Sequence, residues 1–137
     1  NLSLTFMFKK RQESPSGKFL SFELIREENG IFFFEIIFPP ETASPLNLVQ
    51  GGMIDAALDE ATSMTAYIAF KEEKLPLTTD HHVLFHRPMP LGKATMQTKI
   101  IKYGKTVTTI EGKLFDQNER LVATMLHTAL PTNIPNQ

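Results

Sequence analysis

Two features of the sequence have residue types and spacing suited to polarising a carbonyl and moving a proton. Gln50-Gly51-Gly52 runs straight into MIDAALDEATSMTAYIAFK, the strongest helical stretch in the chain. A helix start leaves free N–H groups and the positive end of the helix dipole pointing outward. Glycine there lets a ligand oxygen approach the backbone closely, where those groups can hold a developing oxyanion. Asp59 lies eight residues after Gly51, about 12 Å further along the helix at 1.5 Å per residue. One carbonyl therefore cannot touch both within one chain, whereas two chains packed antiparallel through this helix would set Gly51 of one beside Asp59 of the other. The same residues also admit plainer roles. The glycines let a loop turn into a helix, and Asp59 pairs with Asp55 in an exposed i,i+4 charge pattern. Glu60 is the competing carboxylate, nearer the apolar stripe.

The histidines invite a metal reading, which their spacing does not support. On a strand, His82 and His86 share a face about 13 Å apart while His81 points to the other face, too far to close around one ion at ligand distances near 2.1 Å. The sequence thus predicts no metal site, with these histidines lining the sheet near a subunit contact and His127 an ordinary strand residue. Arg87, Lys102 and Lys105 are cations at strand ends, free to meet phosphate or simply to be solvated. There is no Ser-His-Asp order, G-x-S-x-G elbow, Walker pattern or Rossmann glycine pattern.

The composition bounds the setting. The chain has 137 residues, 42% hydrophobic and 21% charged, which is one domain of globular character. A chain of this size buries roughly 68% of its unfolded surface and needs no covalent staples. The net charge of −1 gives no electrostatic footprint for nucleic acid or an anionic membrane surface. Cysteine is absent, which excludes disulfides, thiolate metal sites and a cysteine nucleophile, and favours a reducing compartment. No segment approaches the ~20 apolar residues of a membrane span. The first residues carry their charges after the apolar stretch, the reverse of a signal peptide, so the cytoplasm is the expected location.

The elements that must position these residues follow from periodicity. Residues 2–12 suggest a short helix, broken by SPSG at 14–17. From Lys18 the pattern turns to β, with EENG at 27–30 as a hairpin turn and IFFFEIIF at 31–38 as a strand apolar enough to be covered on both faces. A proline-rich loop at 39–47 leads to the helix, in which Ile54, Ala57, Leu58, Ala61, Met64, Thr65 and Ile68 form one broad stripe. Asp55, Ala56, Asp59, Ser63 and Ala66 fall opposite, a small-residue face open to a second subunit. LPL at 75–77 closes the connection. Strands follow over 78–88, 93–103, 105–116 and 120–130, joined closely enough to demand antiparallel pairing, and residues 131–137 form a frayed tail. This is an α+β domain spanning the chain: a long helix wrapped by an antiparallel sheet of five to six strands, with residues 1–17 as an extension.

From Gln50-Gly51-Gly52-Met53 through Leu58-Asp59-Glu60-Ala61 the sequence resembles the hotdog-fold acyl-CoA thioesterases, in the branch of the phenylacetate-degradation and 4-hydroxybenzoyl-CoA thioesterases. Their signature is His-Gly-Gly, six residues, then Asp or Glu; here the six are MIDAAL. TTDHHVLFHRP, Leu91-Gly92, Tyr103-Gly104-Lys105 and Leu121-Val122-Ala123-Thr124 resemble later landmarks in the right order, so that the likeness covers roughly residues 18–130.

The resemblance implies a homodimer or tetramer of this fold that hydrolyses an acyl-CoA thioester to acid and CoA, with no metal and no cofactor beyond the CoA of the substrate. It assigns Asp59 as the catalytic carboxylate, acting as general base or nucleophile. Gly51 N–H would polarise the carbonyl beside Gly52, and Thr78, or Thr79 one step of register away, would place the water. Arg87 and Lys105 would meet the CoA phosphates. Gln50 stands where the family carries His, as in a Val-Gln-Gly-Gly subgroup, and can hydrogen-bond a carbonyl or water without carrying a proton. Ser44 replaces an Asn and Asn47 a Gly; Asn tolerates the positive φ such a turn needs. Met53, Met64 and Phe85 are the expected determinants of acyl size. The rival readings are an acyl-CoA or lipid binding protein without turnover, a hotdog hydratase or dehydratase, and a structural dimer without ligand.

Overall fold

A computed structural model describes residues 15–135; the helix expected over residues 2–12 lies outside them. The elements are α1 (Pro15–Phe19), β1 (Glu23–Glu28), β2 (Ile31–Phe38), α2 (Gly51–Ala69), β3 (Lys74–Phe85), β4 (Gly92–Tyr103), β5 (Thr108–Phe115) and β6 (Leu121–Asn133). The strands form one antiparallel sheet in the order β1-β2-β4-β5-β6-β3, with α2 packed on its inner face. The expected α+β architecture, one long helix against a six-stranded antiparallel sheet, is the observed one.

Alternation builds the core. Phe34, Ile36 and Phe38 of β2, Ala94 and Met96 of β4, Leu114 of β5, and Val122 and Met125 of β6 meet Ile54, Ala57, Leu58, Ala61 and Met64 of α2, all of them buried. Each large side chain so buried contributes about 1.5–3 kcal/mol. The hairpin turn sits where EENG placed it, with Asn29 and Gly30 at φ +52° and +80°. The outer face of β2 is less covered than its composition suggests. Ile37 is 49% exposed, and Phe33 is capped only by the Arg26 guanidinium, 4.0 Å from the ring centroid.

The structure corrects the sequence reading at five places. Residues 15–19 are helical rather than a break, because proline is suited to a first helical turn, where its missing N–H is not needed; the first strand accordingly starts at Glu23. Leu75, Pro76 and Leu77 belong to β3. Pro76 is tolerated there because β3 is an edge strand. Residues 131–133 pair with β3 through Pro131↔Pro76, Thr132↔Leu75 and Asn133↔Lys74, so the tail begins later than expected. The segment 86–91 is a crossover rather than a hairpin: β3 pairs with β6 instead of β4. This crossover braces the loop before α2, since Val49 N donates to Met89 O at 2.9 Å and Leu48 pairs with Pro90. Lastly, Ala66 is buried with Phe70 and Ile110 rather than lying on the open face of the helix.

The sheet approaches α2 most closely at Gly112. A Cβ there would stand 2.9 Å from Thr62 Cγ2 and 3.2 Å from Leu58 Cδ2. Thr62 cannot swing aside, because its hydroxyl bonds Leu58 O at 2.8 Å and His127 Nδ1 at 2.7 Å. Gly112→Val is therefore expected to destabilise the fold by about 1–3 kcal/mol, the usual cost of overpacking. Urea denaturation should show the loss, and an unchanged midpoint would contradict the close approach.

Candidate active site

The first turn of α2 is shaped by its loop. Ser44 accepts from Leu46 N at 3.3 Å and Asn47 N at 2.9 Å, through its hydroxyl and carbonyl oxygens respectively. Asn47 occupies the left-handed region at φ +60°. Both residues thus shape the turn, and the Ser44 hydroxyl is spent on it. Gln50 caps the helix with extended backbone (φ −65°, ψ 141°) and no side-chain cap bond. Its Oε1 lies 3.6 Å from where a Cβ of Gly52 would stand. Met53 N and Ile54 N both reach Gln50 O, whereas Gly51 and Gly52 hold the first two helical positions, whose N–H groups have no helical acceptor. A cavity of about 340 Å³ opens there, lined by Gly51, Ile54, Phe85, Arg87 and Met89 among others. Arg87 therefore lines the same cavity as Gly51. Lys105 stands apart, exposed in the loop between β4 and β5.

Asp59 lines a second cavity of about 390 Å³, with Glu60, Ser63, Met64, Tyr67, Leu75, Pro76 and Thr78. Asp59 and Thr78 are thus together, and Gly51 is in the other cavity, as the 12 Å helical separation demands. Asp59 keeps 46% of its side chain exposed, and Ser63 Oγ donates to its Oδ1 at 3.1 Å. Glu60 accepts from Ser16 Oγ at 2.8 Å. Of the two threonines, Thr78 lines this cavity. The register of β3 against β6 slips between Thr78 and Asp80, leaving Thr79 as an inserted residue. Thr79 is exposed and spends its hydroxyl on Thr128 O at 3.0 Å and Thr128 Oγ1 at 2.7 Å.

The sequence reading missed two histidines of this site. His127 is fully buried and bonded at both ring nitrogens: Nδ1 to Thr62 Oγ1 at 2.7 Å and Nε2 to Thr78 Oγ1 at 2.8 Å. Thr62 donates its hydroxyl proton to Leu58 O, so it accepts from Nδ1–H, and Nε2 in turn accepts from Thr78. This assigns the neutral Nδ1–H tautomer. Burial, with His81 nearby, pushes the His127 pKa down to about 4, against the opposing pull of Asp59 and Asp55. Thr78, its proton given to His127, offers the cavity only acceptor lone pairs.

His81 points inward, opposite His127 in the register, on the other face from the exposed His82 as strand alternation expects. Its Nδ1 lies 3.2 Å from Asp55 Oδ1 and its Nε2 3.2 Å from Asp59 Oδ1, while its ring meets that of His127 edge to face, 4.3 Å between centroids. Asp59, His81 and His127 each present a potential ligand atom within 4.8 Å of the others. Both His127 nitrogens are already engaged by hydroxyls, however, which leaves two donors and makes the set a poor cage for a metal.

The sequence profile of the Thioesterase superfamily matches residues 46–123, more than half of the chain. A Saccharolobus solfataricus protein named as a presumptive esterase is 28% identical over 117 residues, 85% of this chain and 81% of its own. Among solved structures, a Ralstonia eutropha JMP134 protein described as a presumptive thioesterase related to phenylacetic acid degradation superposes with a TM-score of 0.83 at 23% identity, over 93% of this chain and 98% of its own. A Streptococcus mutans UA159 protein bound to acetyl-CoA gives a TM-score of 0.73 at 15% identity, over 84% and 91% of the two chains. Both structures share the fold, with the long helix against the antiparallel sheet.

The buried neutral His127 makes stability depend on pH. Unfolded, the ring titrates near its ordinary 6.5; folded, at about 4. Between those values the unfolded chain binds a proton that the folded chain does not. The contribution is therefore complete above about pH 6.5 and is lost as pH falls toward 4, at up to about 1.4 kcal/mol per pH unit. Urea midpoints of the wild type should fall more steeply from pH 7.5 to 5 than those of His127→Gln; equal slopes would contradict a neutral buried ring.

Proposed function

Since the chain belongs to the Thioesterase superfamily, we propose that it hydrolyses an acyl- or aryl-CoA thioester to the free acid and CoA, at sites shared between two antiparallel copies. The observation that carries this reading is Asp59 and Thr78 lining one cavity, with the Thr78 proton held by His127. A water molecule there would give one proton to Asp59 and point the other at Thr78 Oγ1, leaving its oxygen lone pair toward the thioester carbon. That geometry favours Asp59 as general base over direct attack. The carbonyl oxygen would lie at the other copy's Gly51 N–H, with the Gln50 amide and the helix dipole sharing the developing charge. As the tetrahedral intermediate collapses, the C–S bond breaks and CoA leaves as the thiol. Arg87, in the cavity at the helix start, would hold a CoA phosphate. CoA arrives as part of the substrate and no further cofactor is needed; a cytoplasmic homodimer or dimer of dimers is the working form.

The acetyl-CoA bound by the Streptococcus mutans neighbour supports a CoA thioester as ligand. Gln50 for His and the committed Ser44 hydroxyl favour one other reading, a binding protein of the same fold. Tight acyl-CoA binding without thiol release would establish it.

Purified protein should release free thiol from members of an acyl-CoA panel, and Asp59→Ala should lower kcat by about 10²–10⁴. No turnover above the Asp59→Ala protein would overturn the enzyme reading. Gly51→Pro offers a separate test of the helix start. Proline suits the first helical position and the extended Gln50 before it, so the variant loses the N–H while keeping the helix. Its kcat should fall about 10²–10³ without loss of Tm. Co-expressing Gly51→Pro with Asp59→Ala should restore about one quarter of wild-type activity, because a mixed twofold dimer keeps one intact site. No recovery would place the whole site within one chain.

A further inference from the structure

His81 has no role in the chemistry above, yet it is placed against the reacting carboxylate. Its ring bridges two carboxylates one helical turn apart, Asp55 at Nδ1 and Asp59 at Nε2, each at 3.2 Å. The Nε2 atom is buried and makes no directed hydrogen bond, and neither does Asp55 Oδ1. A buried polar atom in that condition calls for an explanation, and a proton in transit is one. We propose that His81 takes up, by way of Asp59, the proton that leaves the attacking water.

The inference rests on the thioesterase reading and adds a destination for the proton. In a neutral ring with its proton on Nδ1, the Nε2 lone pair faces the Asp59 carboxylate at 3.2 Å, which has nothing to donate. Once water adds to the thioester carbon and its proton passes to Asp59, a turn of the carboxyl group brings the new O–H to Nε2. An imidazole nitrogen is intrinsically more basic than a carboxylate, so the transfer runs toward the ring, and Asp55 and Asp59 then flank an imidazolium. When the C–S bond breaks, the proton returns through Asp59 to the leaving sulfur, and the ring is neutral again. Every proton is accounted for without another reactant. The groups facing His81 are Asp55 and Asp59 from α2 and His127 from β6. His127 cannot serve instead, because Thr62 and Thr78 occupy both of its nitrogens. His81 is thus a relay acting through Asp59, distinct from the residues that touch the thioester.

The test uses the full chain and the best acyl-CoA of the panel. His81→Gln and His81→Ala should lower kcat by about 10²-fold, within the range of a lost proton-transfer partner, with KM within about twofold. Added imidazole should restore kcat saturably in His81→Ala and leave Asp59→Ala inactive. A kcat near wild type in both variants, or a loss that imidazole does not touch, overturns the relay while leaving the thioesterase reading intact. Absence of wild-type turnover overturns that reading instead. Ring ¹⁵N spectra of the free protein decide the relay independently of turnover. The expected state is protonated Nδ1 and bare Nε2, and the opposite tautomer removes the proton acceptor.

Discussion

The hydrogen bonds of one buried imidazole tie three elements together. His127 stands on β6, reaches Thr62 on α2 with one nitrogen and Thr78 on β3 with the other. The edge strand β3 pairs only with β6 in the sheet, so its inner face depends on what the helix offers. An unpaired polar atom in that interior costs about 1–3 kcal/mol. Helix, sheet and edge strand must therefore keep their relative positions for both nitrogens to stay satisfied. The Gly112 approach sets the same spacing from the other side, by letting Thr62 sit hard against β5.

The inserted Thr79 converts this packing into a site. In an unbroken strand, residues three apart face opposite ways, so Thr78 and His81 could not both look at the helix. The bulge at Thr79 shifts the parity. Thr78 then faces His127 and the Asp59 cavity, and His81 faces Asp55 and Asp59. The extra residue costs β3 little, because its hydroxyl is satisfied by Thr128 on the neighbouring strand.

That bulge also marks the limit of what the sequence discloses. The helix Gly51–Ala69 was legible because its apolar stripe repeats at helical spacing, β2 because it is a run of β-forming residues, and β4 because it alternates. Asp59 and the glycine pair stood out through the resemblance over Gln50–Ala61, since their separation alone admitted plainer roles as well. The start of β3 was not, since Pro76 reads as a terminator until the strand is known to be an edge, and the end of β6 was hidden by Pro131 in the same way. His127 gave no signal, being one of several polar residues in its strand, with Thr124, Thr128 and Thr132. His81 was placed on the face opposite His82, as found, but its meeting with Asp55 and Asp59 was hidden, because counting from Thr78 fails across the inserted Thr79. The signal that could have found both is the run of polar inner-face residues, Thr62 on the helix and Thr78, His81 and His127 on the strands.

The burial of these groups is unequal, and the inequality suits proton transfer. Deep burial favours a neutral group, and it has been given to His127, whose task is to orient a hydroxyl without changing charge. Asp59 instead keeps nearly half of its side chain exposed, open to water. Its distance from Gly51 serves the same end. The positive end of the helix stabilises negative charge within its first turn, and a carboxylate there would compete with the thioester oxygen for the Gly51 N–H. Two turns further on, Asp59 is clear of that field and leaves the helix start free. On the proposed reading, a single helix would polarise a carbonyl at one end and activate water further along for two different substrates, and two copies paired across it would complete each site.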